Sequence, residues 1–289
     1  MVDISYIFII TEDILLAIAL LLTLIFSALI LLIPHLRHRN NMIIINICCS
    51  IIGSCIFFFI YFTMNYFNPQ HLFASQLCIL LFYAYNIASI GVPFAFITFT
   101  VHRYFYIVYH TKSFFKAKRW VVICIASQWI SEFVISLPFV LRPGPYCSNL
   151  LWMRTYTCIL VIVVPSMITI VLNALIFLHV RSSTRRVQPH TMSTTTNGVM
   201  MNQKTRVGRR EIALLRHMIF IFSIFLIGWS PIYLVNVINQ FITVTTIPYG
   251  SSILLCEVAL ISLIINLFMC NHQLRQDLSN KIRVFFIHE

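Results

Sequence analysis

Asp13–Pro34 reads DILLAIALLLTLIFSALILLIP, with no charged side chain between its first and last residues. A helix needs about 20 apolar residues to cross the roughly 30 Å hydrocarbon core of a bilayer. This stretch is long enough to span. It is too long for the core of a signal peptide, and no small-residue cleavage site follows it. Six further stretches pass the same test, at approximately 42–67, 74–109, 120–141, 156–180, 211–240 and 250–270. The sequence therefore predicts an all-α fold, a seven-transmembrane helix bundle forming a single domain over 1–289. The third stretch is about 36 residues, on the order of 54 Å as a helix, so it must tilt and project past the membrane. After residue 270, Leu274, Leu278, Ile282 and Phe285 recur at helical spacing with Arg275, Lys281 and Arg283 between them. That pattern predicts a short amphipathic helix over 271–286, lying in the interface.

Composition points the same way. With 60% hydrophobic and 10% charged residues among 289, the chain lacks the polar surface of a soluble globule. The lipid bilayer is its first partner. The net charge of +12 does not imply nucleic acid, because the basic residues form short clusters between apolar runs that leave no groove for a polyanion. Those clusters report topology instead. Of the 20 Lys and Arg residues, only Arg142 and Arg154 fall on the side of the even-numbered loops. Cytoplasmic loops hold the Lys/Arg excess, so the expectation is a multi-pass plasma-membrane protein with its amino terminus extracellular and its carboxyl terminus cytoplasmic. The polar linker over 181–210 is expected to be a solvated cytosolic loop, in which Ser182, Thr184 and Thr194 lie among arginines and suit a kinase. Most of the 9 cysteines, including Cys48, Cys49, Cys55, Cys124 and Cys270, sit inside apolar runs and act as small hydrophobes. Cys78 and Cys147 instead lie at or beyond span ends on the extracellular side, where oxidising conditions permit a bridge.

Local motifs narrow the class. His102-Arg103-Tyr104 closes the third stretch, with Cys78 ahead of it, and Phe225-Leu-Ile-Gly-Trp229-Ser-Pro231 occupies the sixth. Together these resemble the Cys and Asp-Arg-Tyr pattern and the Phe-x-x-x-Cys-Trp-x-Pro element of the rhodopsin-like (class A) G-protein-coupled receptors. His102 stands where the acid is usual and Gly228 where the Cys is. Glu211 lies at a spacing where that family often places an acid facing the Arg of the third span. Trp129, Pro138, Pro165 and Cys147 extend the likeness. The chain departs from the family at Ile51, where an Asp usually helps hold sodium, at Asn173, where Tyr is common, and at Asn266-Leu-Phe-Met-Cys270, which lacks the Pro and Tyr of Asn-Pro-x-x-Tyr. The resemblance is to a divergent member, covering spans two to six well.

The resemblance implies a receptor, not an enzyme, with no cofactor. Its partners would be a heterotrimeric G protein in the cytosol and an extracellular small molecule or short peptide. It also implies a Cys78–Cys147 disulfide and an activation switch of His102, Arg103, Tyr104, Glu211, Phe225, Trp229 and Pro231. Physical chemistry supplies reasons. Pro165 and Pro231 each remove an amide donor inside a span and are expected to bend it. Arg103 at the membrane edge needs a partner to offset desolvation, and Glu211 is the best one. Candidate ligand contacts are Tyr85, Asn86 and Ser89 on the third span, Trp229, Tyr233 and Asn236 on the sixth, and Glu257 on the seventh. Glu132 and Glu257 are intramembrane acids and are expected to face the interior. Tyr85 stands where amine receptors of the family carry an acid, and the seventh span has no Lys for a retinal Schiff base. A transporter is disfavoured by the lack of repeats. A hydrolase or metalloenzyme is disfavoured by the lack of His-Glu-x-x-His and Gly-x-Ser-x-Gly patterns. A seven-helix protein that binds ligand without signalling is the remaining alternative.

Overall fold

The computed structural model describes residues 4–33, 39–68, 75–109, 111–140, 151–185, 219–271 and 274–276. These contain seven helices long and apolar enough to cross a membrane. They are α1 (Ile4–Leu32), α2 (Arg39–Phe67), α3 (Ser75–Val108), α4 (Lys118–Ser136), α5 (Leu151–Cys158 continuing through Val164–Arg185), α6 (Ile219–Ile238) and α7 (Thr246–Cys270). The chain is a seven-helix membrane bundle, with no strand among the described residues.

The exterior explains why such a chain needs lipid. Leu21, Ile130, Ile170 and Ile227 are more than half exposed, at 58%, 63%, 59% and 69%, and they recur around the bundle. In water this continuous apolar surface would drive aggregation. In a bilayer the helices satisfy their own backbone groups and present hydrocarbon to hydrocarbon.

α1 begins at Ile4, nearer the amino terminus than the expected start at Asp13. A ruler of apolar content stops at the adjacent Glu12 and Asp13, but the helix does not, because both acids find protein around them. Glu12 is buried at 4% exposure, and the Thr63 hydroxyl of α2, which donates to the Phe59 carbonyl of its own helix at 2.8 Å, lies 3.4–3.5 Å from the Asp13 carboxyl. Thr11 donates to the Ile7 carbonyl at 2.8 Å within the same turn, and Tyr6 meets Tyr66 of α2 at 6.4 Å. At the other end of the sixth span the expectation of helix from Glu211 concerns 211–218, which lie outside the described residues. The same holds for most of the expected interfacial helix over 271–286. Of it, 274–276 are helical, with Leu274 fully buried and Arg275 exposed. The Asn271 side chain accepts from the Leu274 amide at 3.3 Å there.

α1 packs between α2 and α7, α2 against α3, and α3 against both α4 and α5. α3 is the hub, with 61% of its spanning window buried, the highest share of the seven. It contains Pro93, which the sequence reading did not single out and which leaves the helical ladder one amide short. Around the expected bend at Pro165, α5 passes through a π-helical turn at Ile159–Val163, where the Val164 amide donates to the Ile159 carbonyl. A widened turn ahead of a proline accommodates the missing donor. The Ser166 hydroxyl donates to the Ile162 carbonyl beside it.

Two glycines set helix spacing. A Cβ on Gly228 of α6 would lie 2.1 Å from the Ala259 Cβ of α7, and one on Gly250 of α7 would lie 2.7 Å from the Phe8 ring of α1. Close approach at a small residue is how membrane helices gain packing energy without a hydrophobic drive between them.

Polar side chains form a second kind of joint. Asn46 of α2 donates to Gln128 of α4 at 2.7 Å and accepts from the Trp129 indole at 3.0 Å. Gln128 donates onward to Glu132 at 2.9 Å and toward Ser50 at 3.4 Å. Gln128→Leu would strand the amide of Asn46 and the carboxyl of Glu132 away from water. The expected loss is about 1–3 kcal/mol, read as a lower melting midpoint of the purified protein in detergent. A midpoint equal to that of Ile130→Ala, on the lipid face, would show the seam to be dispensable.

Candidate functional site

The site grows from α6. Phe222, Phe225, Trp229 and Tyr233 recur at intervals of three or four residues, so one face of the helix carries them all. Their rings follow one another at 6.2, 5.0 and 6.2 Å between centroids. Phe225 is wholly buried, with Trp229 at 3% and Tyr233 at 5% exposure. Phe225 also meets Phe96 of α3 at 6.3 Å. An aromatic column therefore runs along the inside of α6 and leans on the hub helix. Aromatic pairs at these distances add about 0.5–1.5 kcal/mol each beyond area burial.

Beside the Trp229–Tyr233 end of the column is a cavity of ≈ 50 Å³. Tyr85 of α3, Ser54 and Phe58 of α2, Leu16 of α1 and Glu257 of α7 help line it. Tyr85 is braced edge-on by Phe58 at 5.6 Å and by Tyr61 at 5.4 Å. Glu257 is 3% exposed, and neither of its carboxyl oxygens has a hydrogen-bond partner. The Trp229 indole nitrogen is also without one. Buried donors and acceptors are nearly always paired, so the unpartnered indole and carboxyl stand out on two residues that line one small cavity.

Of the residues expected to contact a ligand, the structure brings Tyr85, Trp229, Tyr233 and Glu257 to this cavity. Asn86 goes elsewhere. Its amide donates to Ser136 of α4 at 2.8 Å and its carbonyl accepts from Thr157 of α5 at 3.0 Å, so it ties three helices together. Ser89 is fully buried next to the Tyr233 hydroxyl but does not make a hydrogen bond of good geometry with it. Asn236 is not among the residues lining the cavity, and its backbone carbonyl accepts from Arg154 of α5 at 2.9 Å. Cys55, Phe58, Phe62 and Cys256 line the cavity and were missed. They read as ordinary apolar span residues, and no local spacing distinguishes them.

At the opposite end of α3, Arg103 lies over the Phe99 ring at 5.2 Å, a cation–π contact that shields its charge. His102 is buried at 4% exposure and stacks on Tyr106 at 6.2 Å. Tyr104 meets Phe105 and Tyr109 edge-on at 5.3 and 6.4 Å. Phe105, Phe115 and Trp120 then pack mutually at 5.0–5.1 Å, fastening the short 3-10 helix Ser113–Lys116 between α3 and α4. Glu211, the expected partner of Arg103, lies outside the described residues. Pro231 sits within α6, half-buried. Cys78 is disulfide-bonded and buried against Phe82, Phe139 and Met153. Its expected partner Cys147 is outside the described residues.

A seven-helix bundle with an internal cavity, an aromatic column beneath it and an Arg at the far end of the hub helix defines a receptor-type membrane protein. The family model described as 7 transmembrane receptor (rhodopsin family) matches residues 23–273, most of the chain, and the protein belongs to that family. No curated protein matches the chain.

Proposed function

We propose that the protein is a G-protein-coupled receptor that takes an extracellular small molecule or short peptide into the cavity beside Trp229 and signals through a cytosolic heterotrimeric G protein by movement of α6. In this reading it sits in the plasma membrane with its amino terminus outside. What supports it most is the continuity of the aromatic column. A ligand touching Trp229 and Tyr233 presses on Phe225, and through Phe225 on Phe96 of the hub helix. Packed side chains have discrete arrangements, so a small shift at the cavity favours one rotation of α6 over another.

At the far end, Arg103 and Glu211 pair across α3 and the sixth span in the resting state, and separation of the two opens a cavity for the G protein. Glu211→Ala is then expected to raise ligand-free nucleotide exchange several-fold on at least one member of a G-protein panel, measured with purified receptor in nanodiscs. An unchanged basal rate on every member would remove the switch. A silent ligand-binding protein is the second reading, and one contact favours it. The Asn266 amide donates to the Ser262 carbonyl of its own helix at 2.7 Å, in a stretch that lacks the Pro and Tyr of the family motif. Absence of exchange above control with all G proteins, in a receptor that binds ligand, would select this reading.

A further inference from the structure

Glu257 lines the cavity beside Trp229, buried at 3% exposure and with neither carboxyl oxygen hydrogen-bonded. The remaining walls are mainly faces and edges of Phe58, Phe62, Tyr85, Trp229 and Tyr233. Arg154 does not neutralise Glu257, since its guanidinium is turned to the Asn236 carbonyl and Glu257 has no partner. A carboxyl buried this deeply carries its charge only when a cation joins it.

We infer that the cavity is a seat for a small organic cation, an alkylammonium head held against the Glu257 carboxylate inside a cage of aromatic rings. The inference rests on the ligand-binding part of the proposed function and assigns that ligand its chemical class. Two observations separate an organic cation from a metal ion. Hard metal ions take six or more oxygen ligands, whereas the cavity offers one carboxyl and a few hydroxyls. Among the described residues there is also no group of three or more His, Cys, Asp and Glu side chains placed to hold a metal. Aromatic faces attract a diffuse ammonium through their quadrupoles, and such cages are the recurring way proteins bind quaternary ammonium. Size agrees as well. Each water needs roughly 10–15 Å³ of such space, so ≈ 50 Å³ accommodates a compact head with the rest of the ligand extending beyond it.

The test uses the full chain in nanodiscs of neutral phosphatidylcholine. Choline, its neutral carbon analogue 3,3-dimethylbutan-1-ol, and sodium chloride are titrated in parallel while the melting midpoint is followed. A ligand that binds only the folded state raises that midpoint with concentration. Choline is expected to raise it and the alcohol and sodium chloride are not. Glu257→Gln should weaken the choline response at least tenfold, while Glu132→Gln, a buried acid outside the cavity, should keep it. Should Glu257→Gln fail to give monodisperse protein, Tyr85→Leu and Phe58→Leu, which remove cage faces, are expected to weaken choline instead. Equal responses to choline and the alcohol, a matching response to sodium chloride, a full response in Glu257→Gln, or its loss in Glu132→Gln would each overturn the assignment. Nucleotide exchange measured in the same samples keeps the two proposals apart. Choline binding without exchange leaves the cation seat standing and removes signalling, and exchange driven only by neutral compounds does the reverse.

Discussion

Gly228→Ala is expected to lower the stability of the folded protein by about 3 kcal/mol, the upper part of the range for overpacked cores. The new methyl would fall 2.1 Å from the Ala259 Cβ, 3.3 Å from the Leu255 carbonyl oxygen and 3.6 Å from the Ala259 Cα. Carbon atoms sit comfortably about 3.5–4.0 Å apart, so α6 and α7 would have to separate by well over an ångström. No rotamer relieves this, because both atoms are Cβ atoms fixed to their backbones. The compensating substitution is therefore specific. Ala259→Gly removes the 2.1 Å contact and leaves only the two milder ones, so the double variant should recover most of the loss. A double-mutant cycle on melting midpoints in detergent measures the coupling. If Gly228→Ala melted with the parent, or if Ala259→Gly added to its loss instead of offsetting it, the helix contact at Gly228 would not be the reason for the glycine. In the family pattern Cys is usual at this position, and its larger side chain would meet the same wall. Here α6 and α7 lie in close contact, and the glycine is the residue that permits it.

That glycine marks where sequence reading runs out. The spans were legible because crossing a bilayer imposes a length and a composition on every helix, and both can be read from the chain. The edges were less so. Glu12 and Asp13 ended the first apolar run on paper, whereas in space Glu12 is buried and Asp13 has Thr63 across the α1–α2 interface. A charge ends a span only if nothing beside it accepts it, and what lies beside it is a tertiary fact. For the same reason the sequence alone makes Asn86 a ligand contact by its place beside Tyr85. Residues one apart on a helix point about 100° from each other, and Asn86 faces Ser136 and Thr157 while Tyr85 faces the cavity. Gln128 gave no signal at all, although it is the centre of the seam joining α2 and α4. Glu257 was legible, because an acid in a span has few tolerable surroundings and an interior cavity is one of them.

Phe225→Ala is expected to produce the largest loss of any single truncation in the column, about 3–5 kcal/mol. Phe225 is wholly buried and touches Phe222, Trp229 and Phe96 together, so its removal opens a void that three rings border and none can fill without leaving the others. The effect should depend on shape more than on hydrophobicity. Phe225→Leu retains much of the volume and is expected to recover at least half of the loss. Ile227→Ala, two residues away but 69% exposed toward lipid, is expected to change little. If Phe225→Ala and Ile227→Ala shifted the melting midpoint equally, the column would be a row of rings with no mechanical continuity. The same variants bear on signalling separately. Under the proposed function, Phe225→Leu keeps the fold while loosening the joint between the cavity floor and α3, so ligand affinity should persist and ligand-stimulated nucleotide exchange should fall. A variant that binds as the parent does and also exchanges as the parent does would show that the signal leaves the cavity by another route, and the disposition of α7 around Glu257 would then be the next place to look.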